Sequence, residues 1–131
     1  MSEPSTSVVD ANAIITLLLG SGGRADFERT RAFFEPVRQG TAVAYIPAAV
    51  LAECVYVLTR IYKVARMEAA SSLLELLDYR GVETESPAVR RALALYRDRN
   101  VDFVDALVAS IAQDRGWRVF SFDRDLERLA K

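Results

Sequence analysis

Ser7-Val8-Val9-Asp10-Ala11-Asn12-Ala13-Ile14-Ile15-Thr16-Leu17-Leu18-Leu19-Gly20 decides the fold class. A short apolar run meets an aspartate, and apolar residues then follow at helical spacing until Gly20-Ser21-Gly22-Gly23 stops them. This reads as a strand over 7–9, a reset at Asp10 and a helix over about 12–19. The same rhythm returns at Val43-Ala44-Tyr45-Ile46, a strand candidate followed by Pro47, which suits the first turn of a helix over about 48–61. That helix is almost wholly apolar, so most of it should be buried. Amphipathic patterns predict further helices over 24–38, 66–79, 87–98 after Ser86-Pro87, and 103–115. A weak strand falls at 82–84, a clearer one at 118–122, and a short helix closes the chain over 123–130. Strands alternating with helices predict an α/β fold with a parallel sheet covered by helices on both faces, a three-layer α/β/α sandwich.

The 131 residues suit one domain, 1–131, whose polar first stretch, 1–6, is expected to be flexible. At 51% hydrophobic and 27% charged the composition is globular. One cysteine, Cys54, excludes an internal disulfide framework and agrees with a reducing compartment. The apolar run over 41–58 is broken by Pro47 and Glu53, so no membrane span is expected. Met1-Ser2-Glu3-Pro4-Ser5-Thr6-Ser7 has neither a basic start nor an apolar core of a signal peptide, and a cytoplasmic location is the expectation. A net charge of −1 argues against a broad basic nucleic-acid surface, although local patches count for more than totals. Among the 17 basic residues only Lys63 and Lys131 are lysine, leaving 15 arginines. That bias reflects either coding preference or a use for planar forks that hold phosphate. Arg24, Arg29, Arg31, Arg60, Arg97 and Arg99 are the candidates for phosphate contact, unranked against solvated surface arginines.

Four acids, Asp10, Glu53, Asp105 and Asp123, each interrupt an apolar stretch. Carboxylates among core residues call for a partner, either an arginine or a cation. Asp10 and Asp123 fall at the carboxyl ends of predicted strands, the edge where ligands of open α/β sheets bind. Asp102 and Asp105 share a face at the start of a helix, near its positive end. Glu53 lies one to two turns into the helix after the second strand, near the same edge. The expectation is one acidic pocket that holds a hard divalent cation. Each acid also has a plainer reading. Asp10 suits an N-cap, Asp102 suits one better still, and one of Asp123 and Asp125 is a cap. Asn12 can hydrogen-bond a carboxylate, a hydrated ion or a phosphate, or can serve the turn. Ser121 can do the same or fill the last strand.

The chain has no histidine, which excludes Ser-His-Asp and Cys-His catalysis and the usual Cys/His zinc sites. Gly20-Ser21-Gly22-Gly23 lacks the Gly-Lys-Ser/Thr ending of a phosphate-binding Walker loop. Carboxylate chemistry with Mg²⁺ or Mn²⁺ is what remains, and it suits attack of water on a phosphodiester.

Val8-Val9-Asp10-Ala11-Asn12, Ala52-Glu53, Asp102-Phe103-Val104-Asp105-Ala106-Leu107 and Ser121-Phe122-Asp123-Arg124-Asp125-Leu126, in this order and at these spacings, resemble the PIN domain, and more narrowly the VapC-type toxins. The resemblance covers nearly the whole chain. It implies that Asp10, Glu53, Asp105 and Asp123 bind metal and catalyse, with Asn12, Asp102 and Ser121 in support. It also implies an endoribonuclease that depends on Mg²⁺ or Mn²⁺, works on RNA, forms a homodimer and is silenced by a cognate antitoxin protein. PIN domains often carry a further edge strand past the last acid, whereas this sequence stops at Lys131, so a sheet of four or five strands is expected. Two other readings stand beside it. One is a PIN-like module that binds RNA or protein without cutting. The other is a haloacid-dehalogenase-like phosphatase, for which Asn12 replaces the second required aspartate and only Lys63 and Lys131 can supply the lysine.

Overall fold

The computed structural model describes residues 5–131. Its elements are β1 (Thr6–Val8), α1 (Ala11–Leu19), α2 (Arg24–Gln39), β2 (Val43–Tyr45), α3 (Ala48–Tyr56), α4 (Arg66–Leu77), β3 (Val82–Glu83), α5 (Pro87–Asp98), α6 (Phe103–Arg115) and α7 (Arg124–Leu129). A π-helical segment, Val57–Ile61, continues α3. The strands lie in the order β1-β2-β3, all parallel, with Ser7 beside Ala44 and Tyr45 beside Glu83. The fold is thus mixed α/β around a parallel sheet, as the alternating pattern predicts.

One expectation changes. Residues 118–122, read as the last strand, pair with no other strand, so the sheet among the described residues has three strands and not four or five. Phe120 and Phe122 are 91% and 96% exposed, their rings packed edge-on against each other at 5.6 Å. Strand propensity measures fit to a pleated, half-buried surface, and this segment has the propensity without the surface. Thr6 opens β1, and the Ser5 carbonyl accepts a bond from the Val43 amide at 2.9 Å. Residues 1–4 lie outside the described residues.

The core is a contiguous set of buried aliphatic and aromatic side chains drawn from the sheet and the helices, including Ile14, Phe34, Val37, Ala44, Ile46, Leu51, Leu73 and Leu93. Helices α1 to α6 each bury apolar residues, whereas α7 buries none, so the apolar faces of the first six helices hold the domain together. The helix ends follow local chemistry. Gly20 and Gly40 end α1 and α2 in the left-handed region, with φ of 68° and 90°. Ser86 caps α5, and Pro87 follows at its first position. Pro47 has no side-chain cap to offer α3, and the Glu85 carboxylate supplies one from the loop after β3. Its two oxygens accept from the Ala48 amide at 2.9 and 3.1 Å. The third strand therefore helps set the helix that carries Glu53.

Candidate active site

Asp10 stands at the carboxyl end of β1, where the sheet hands over to α1. The Val9 amide is still bonded to the Tyr45 carbonyl at 3.0 Å. Asp10 then takes an extended conformation as the N-cap of α1, and its Oδ1 accepts from the Ala13 amide at 3.0 Å. Asp10 also lines a cleft of about 550 Å³ together with Asn12, Thr16, Asp26, Arg29 and Phe33. Of the six candidate arginines, Arg29 is the one that lines this cleft. Arg24 and Arg97 are bound to Glu28 at 3.1 Å and Asp98 at 2.8 Å.

Asp102, Asp105 and Asp123 line a second cleft together with Asp125 and Arg66. Asp102 occupies the N-cap position of α6, but its carboxylate accepts no capping bond there. Asp105 sits in the first turn of α6, half-buried. Burial raises its carboxyl above the ordinary range, and the like charges of Asp102 and Asp123 push the same way. Asp123 caps α7 through bonds to the Asp125 and Leu126 amides at 2.9 and 3.4 Å. Ser121 Oγ accepts from the Asp123 amide at 2.9 Å, which fixes the acid from behind. Asp125 is paired with Arg128 at 3.0 Å and serves the helix.

The sequence reading placed both Asp10 and Asp123 at strand ends, and the structure gives this position to Asp10 alone, since 118–122 is not a strand. Asp102, which suits an N-cap best by its place in the sequence, stands at the N-cap of α6 without a side-chain bond to the helix. Asp10, Glu53 and Asp123 are exposed and not embedded in the core, so burial does not force a partner on them. Asp105 is the half-buried one of the four. Burial raises the thiol of Cys54, and the charges of Glu53 and Asp10 push it the same way, so both acids lie within electrostatic reach of Cys54.

The donor set is chemically suited to Mg²⁺ or Mn²⁺: carboxylate, amide and hydroxyl oxygens, with no imidazole in the chain and one thiol that is inert. The crowding of Asp102, Asp105 and Asp123 leaves negative charge that a cation would relieve. Among the described residues, however, no three acid or thiol side chains stand close enough to form a finished metal cluster.

Cys54 has a testable property of its own. It is 0% exposed, and burial pushes its thiol up to about 12. Iodoacetamide at pH 8 is expected to leave it unmodified in the folded chain and to label it fully in denaturant. Labelling of the folded chain at the rate of a free thiol would contradict that burial.

Arg66 lines the cleft of Asp102, Asp105 and Asp123, although nothing in the motifs singles it out. The signal was there, since an arginine opening a helix stands against the helix dipole and implies acceptors elsewhere.

A model of the family described as "PIN domain" matches residues 7–131. A VapC ribonuclease of Aquifex aeolicus (strain VF5) is 29% identical over 124 residues, 93% of this chain and 90% of that protein. No solved structure matches the chain. No helix among the described residues is long and apolar enough to cross a membrane. With nearly its whole length matched by the family model, the chain belongs to the PIN domain family.

Proposed function

We propose that this chain is a VapC-like endoribonuclease, dependent on Mg²⁺ or Mn²⁺ and acting as the toxin of a toxin–antitoxin pair. The observation that carries this reading is the acidic cleft in which half-buried Asp105 is crowded by Asp102 and Asp123, within a PIN-family chain similar to a VapC ribonuclease. Asp10, Glu53, Asp105 and Asp123 would hold the ion, with Asn12 and Asp102 beside it. A bound divalent ion would supply charge neutralisation for the phosphodiester and a more acidic water. The chain's own residues do the rest. Ser121 holds the backbone of Asp123, the N-terminus of α6 favours the negative charge of Asp102 and Asp105, and Arg29 offers a fork to the RNA phosphate beside Asp10. A homodimer and a cognate antitoxin whose segment covers these clefts complete the proposal. Membership of the PIN family sets aside the phosphatase reading.

One observation favours the second reading, a PIN-like module that binds RNA without cutting: Asp10 lines one cleft, Asp105 and Asp123 another. Incubation of the purified chain with RNA in Mg²⁺ or Mn²⁺ separates the two. Cleavage is expected, and it should fall to background with a chelator and in Asp10→Asn. RNA bound but uncut in every metal condition favours the module. Cleavage that survives both chelator and Asp10→Asn sinks the metal–carboxylate mechanism.

A further inference from the structure

We propose that Arg66 is a positioning residue for the acidic cleft, because its guanidinium ties down the α5–α6 connection and so sets where Asp102 and Asp105 stand. The inference rests on the reading of that cleft as a metal site.

Arg66 is the first residue of α4, preceded by Ala65, which offers no side-chain cap. A cation at this end of a helix meets the positive pole of its dipole. It makes up for this at the opposite end of another helix. Its Nη1 donates to the carbonyl oxygens of Tyr96 at 2.7 Å and Val101 at 2.9 Å, and its Nη2 donates to Val101 at 2.7 Å. A longer contact reaches the Arg99 carbonyl at 3.4 Å. The guanidinium carbon lies 4.0 Å from the centre of the Tyr96 ring, which is itself buried against Phe103. These acceptors belong to the last turn of α5 and the connection after it, the negative end of a helix with carbonyls left over. Among the described residues no carboxylate is paired with Arg66, so its charge is spent on backbone.

The connection held in this way is short. Val101, gripped by both terminal nitrogens, is bonded directly to Asp102, and the Asp102 carbonyl accepts the first helical bond of α6, from Ala106 at 2.9 Å. One peptide therefore separates the clamp from one acid, and one helical turn separates it from the next. Arg66 also lines the cleft that Asp102, Asp105 and Asp123 face. A lysine cannot replace it fully. A single ammonium lacks the planar fork that spans the two carbonyls and stacks on the tyrosine.

Three chains test the idea: wild type, Arg66→Lys and Arg66→Met. Hydrogen exchange without metal should show lost protection over 99–106 in Arg66→Met, with protection over 43–46 retained. Calorimetric titration with Mn²⁺ should show affinity about 10- to 100-fold weaker in Arg66→Met, the usual cost of losing a group that orients a ligand. Arg66→Lys should fall between that variant and wild type, and raised Mn²⁺ should restore RNA cleavage in it. Unchanged Mn²⁺ affinity in Arg66→Met overturns the inference. So does protection lost equally over 43–46, which would make Arg66 a general stabiliser. Wild-type chain that takes up no Mn²⁺ sinks the metal reading itself. The metal-free exchange measurement tells that failure apart from failure of the clamp.

Discussion

Asp105→Asn is expected to lower RNA cleavage by at least about 100-fold without lowering the melting temperature. The size follows from its proposed place: groups that merely orient a metal ligand cost 10- to 100-fold when removed, so removing a ligand should cost no less than about 100-fold. The stability half follows from electrostatics. Burial, then Asp102 and Asp123, raise the Asp105 carboxyl in the folded chain. Between the ordinary carboxylate value and this raised one, the folded chain holds a proton that the unfolded chain has lost. Stability therefore falls as pH rises through that window, and ionised Asp105 is a burden at neutral pH. An amide of the same shape carries no such burden. The gain is small because Asp105 is half-exposed and solvent screens it. Melting curves from about pH 4 to pH 7 should show wild type losing ground to Asp105→Asn as pH rises. Mn²⁺ should raise the melting temperature of wild type and leave the variant unmoved, since only a ligand bound to the folded state stabilises it. A variant that melts much earlier at pH 7 would make Asp105 structural. One that cuts RNA like wild type would remove it from the site.

Asp105 also shows where sequence reasoning holds and where it stops. Local chemistry was legible. An aspartate after an apolar run caps α1, glycines end α1 and α2, and Ser86-Pro87 starts α5, because each effect acts within a turn of the residue that causes it. What depends on distant partners was not. Residues 118–122 have the composition of a strand, yet a strand exists only where another offers a ladder. Glu85 reaches across 37 residues to cap α3, and Arg66 reaches across 35 to hold Val101; no local window contains either pair. The acids are a mixed case. Their identity and order were readable, and Asp102, Asp105 and Asp123 do share a cleft. Their exposure was not readable, since an acid flanked by apolar residues on a helix can still point from its polar face. Nor could the sequence rank the arginines, a matter of which side chain lies beside Asp10 and which is already paired.

Gly81→Ala is expected to be the most damaging single methyl group in the chain, costing about 3 kcal/mol or more. In the sequence Arg80-Gly81 reads only as a break between a helix and a strand. In the fold Gly81 is a crossing point of main chains. Its amide donates to the Val37 carbonyl at 2.8 Å, and its carbonyl accepts from the Ala44 amide at 2.8 Å. A Cβ here would overlap the Ala42 carbonyl oxygen and lie 2.8 Å from that of Val37. Both obstacles are backbone, so no side chain can swing aside to make room. The end of α2, β2 and β3 would have to part, breaking the bonds that join them. Gly40→Ala offers the contrast. Its φ of 90° makes an alanine strained, but the nearest obstacle is the Arg80 side chain, at 3.1 Å. That strain should cost nearer 1 kcal/mol. Thermal melts should therefore place Gly81→Ala roughly 10 °C below wild type, with Gly40→Ala between them. Moving β3 also moves Glu85, and with it the cap of the helix that carries Glu53, so RNA cleavage should fall in Gly81→Ala even where the chain is still folded. Equal melting of Gly81→Ala and wild type would mean that the three segments do not cross as closely as the structure places them.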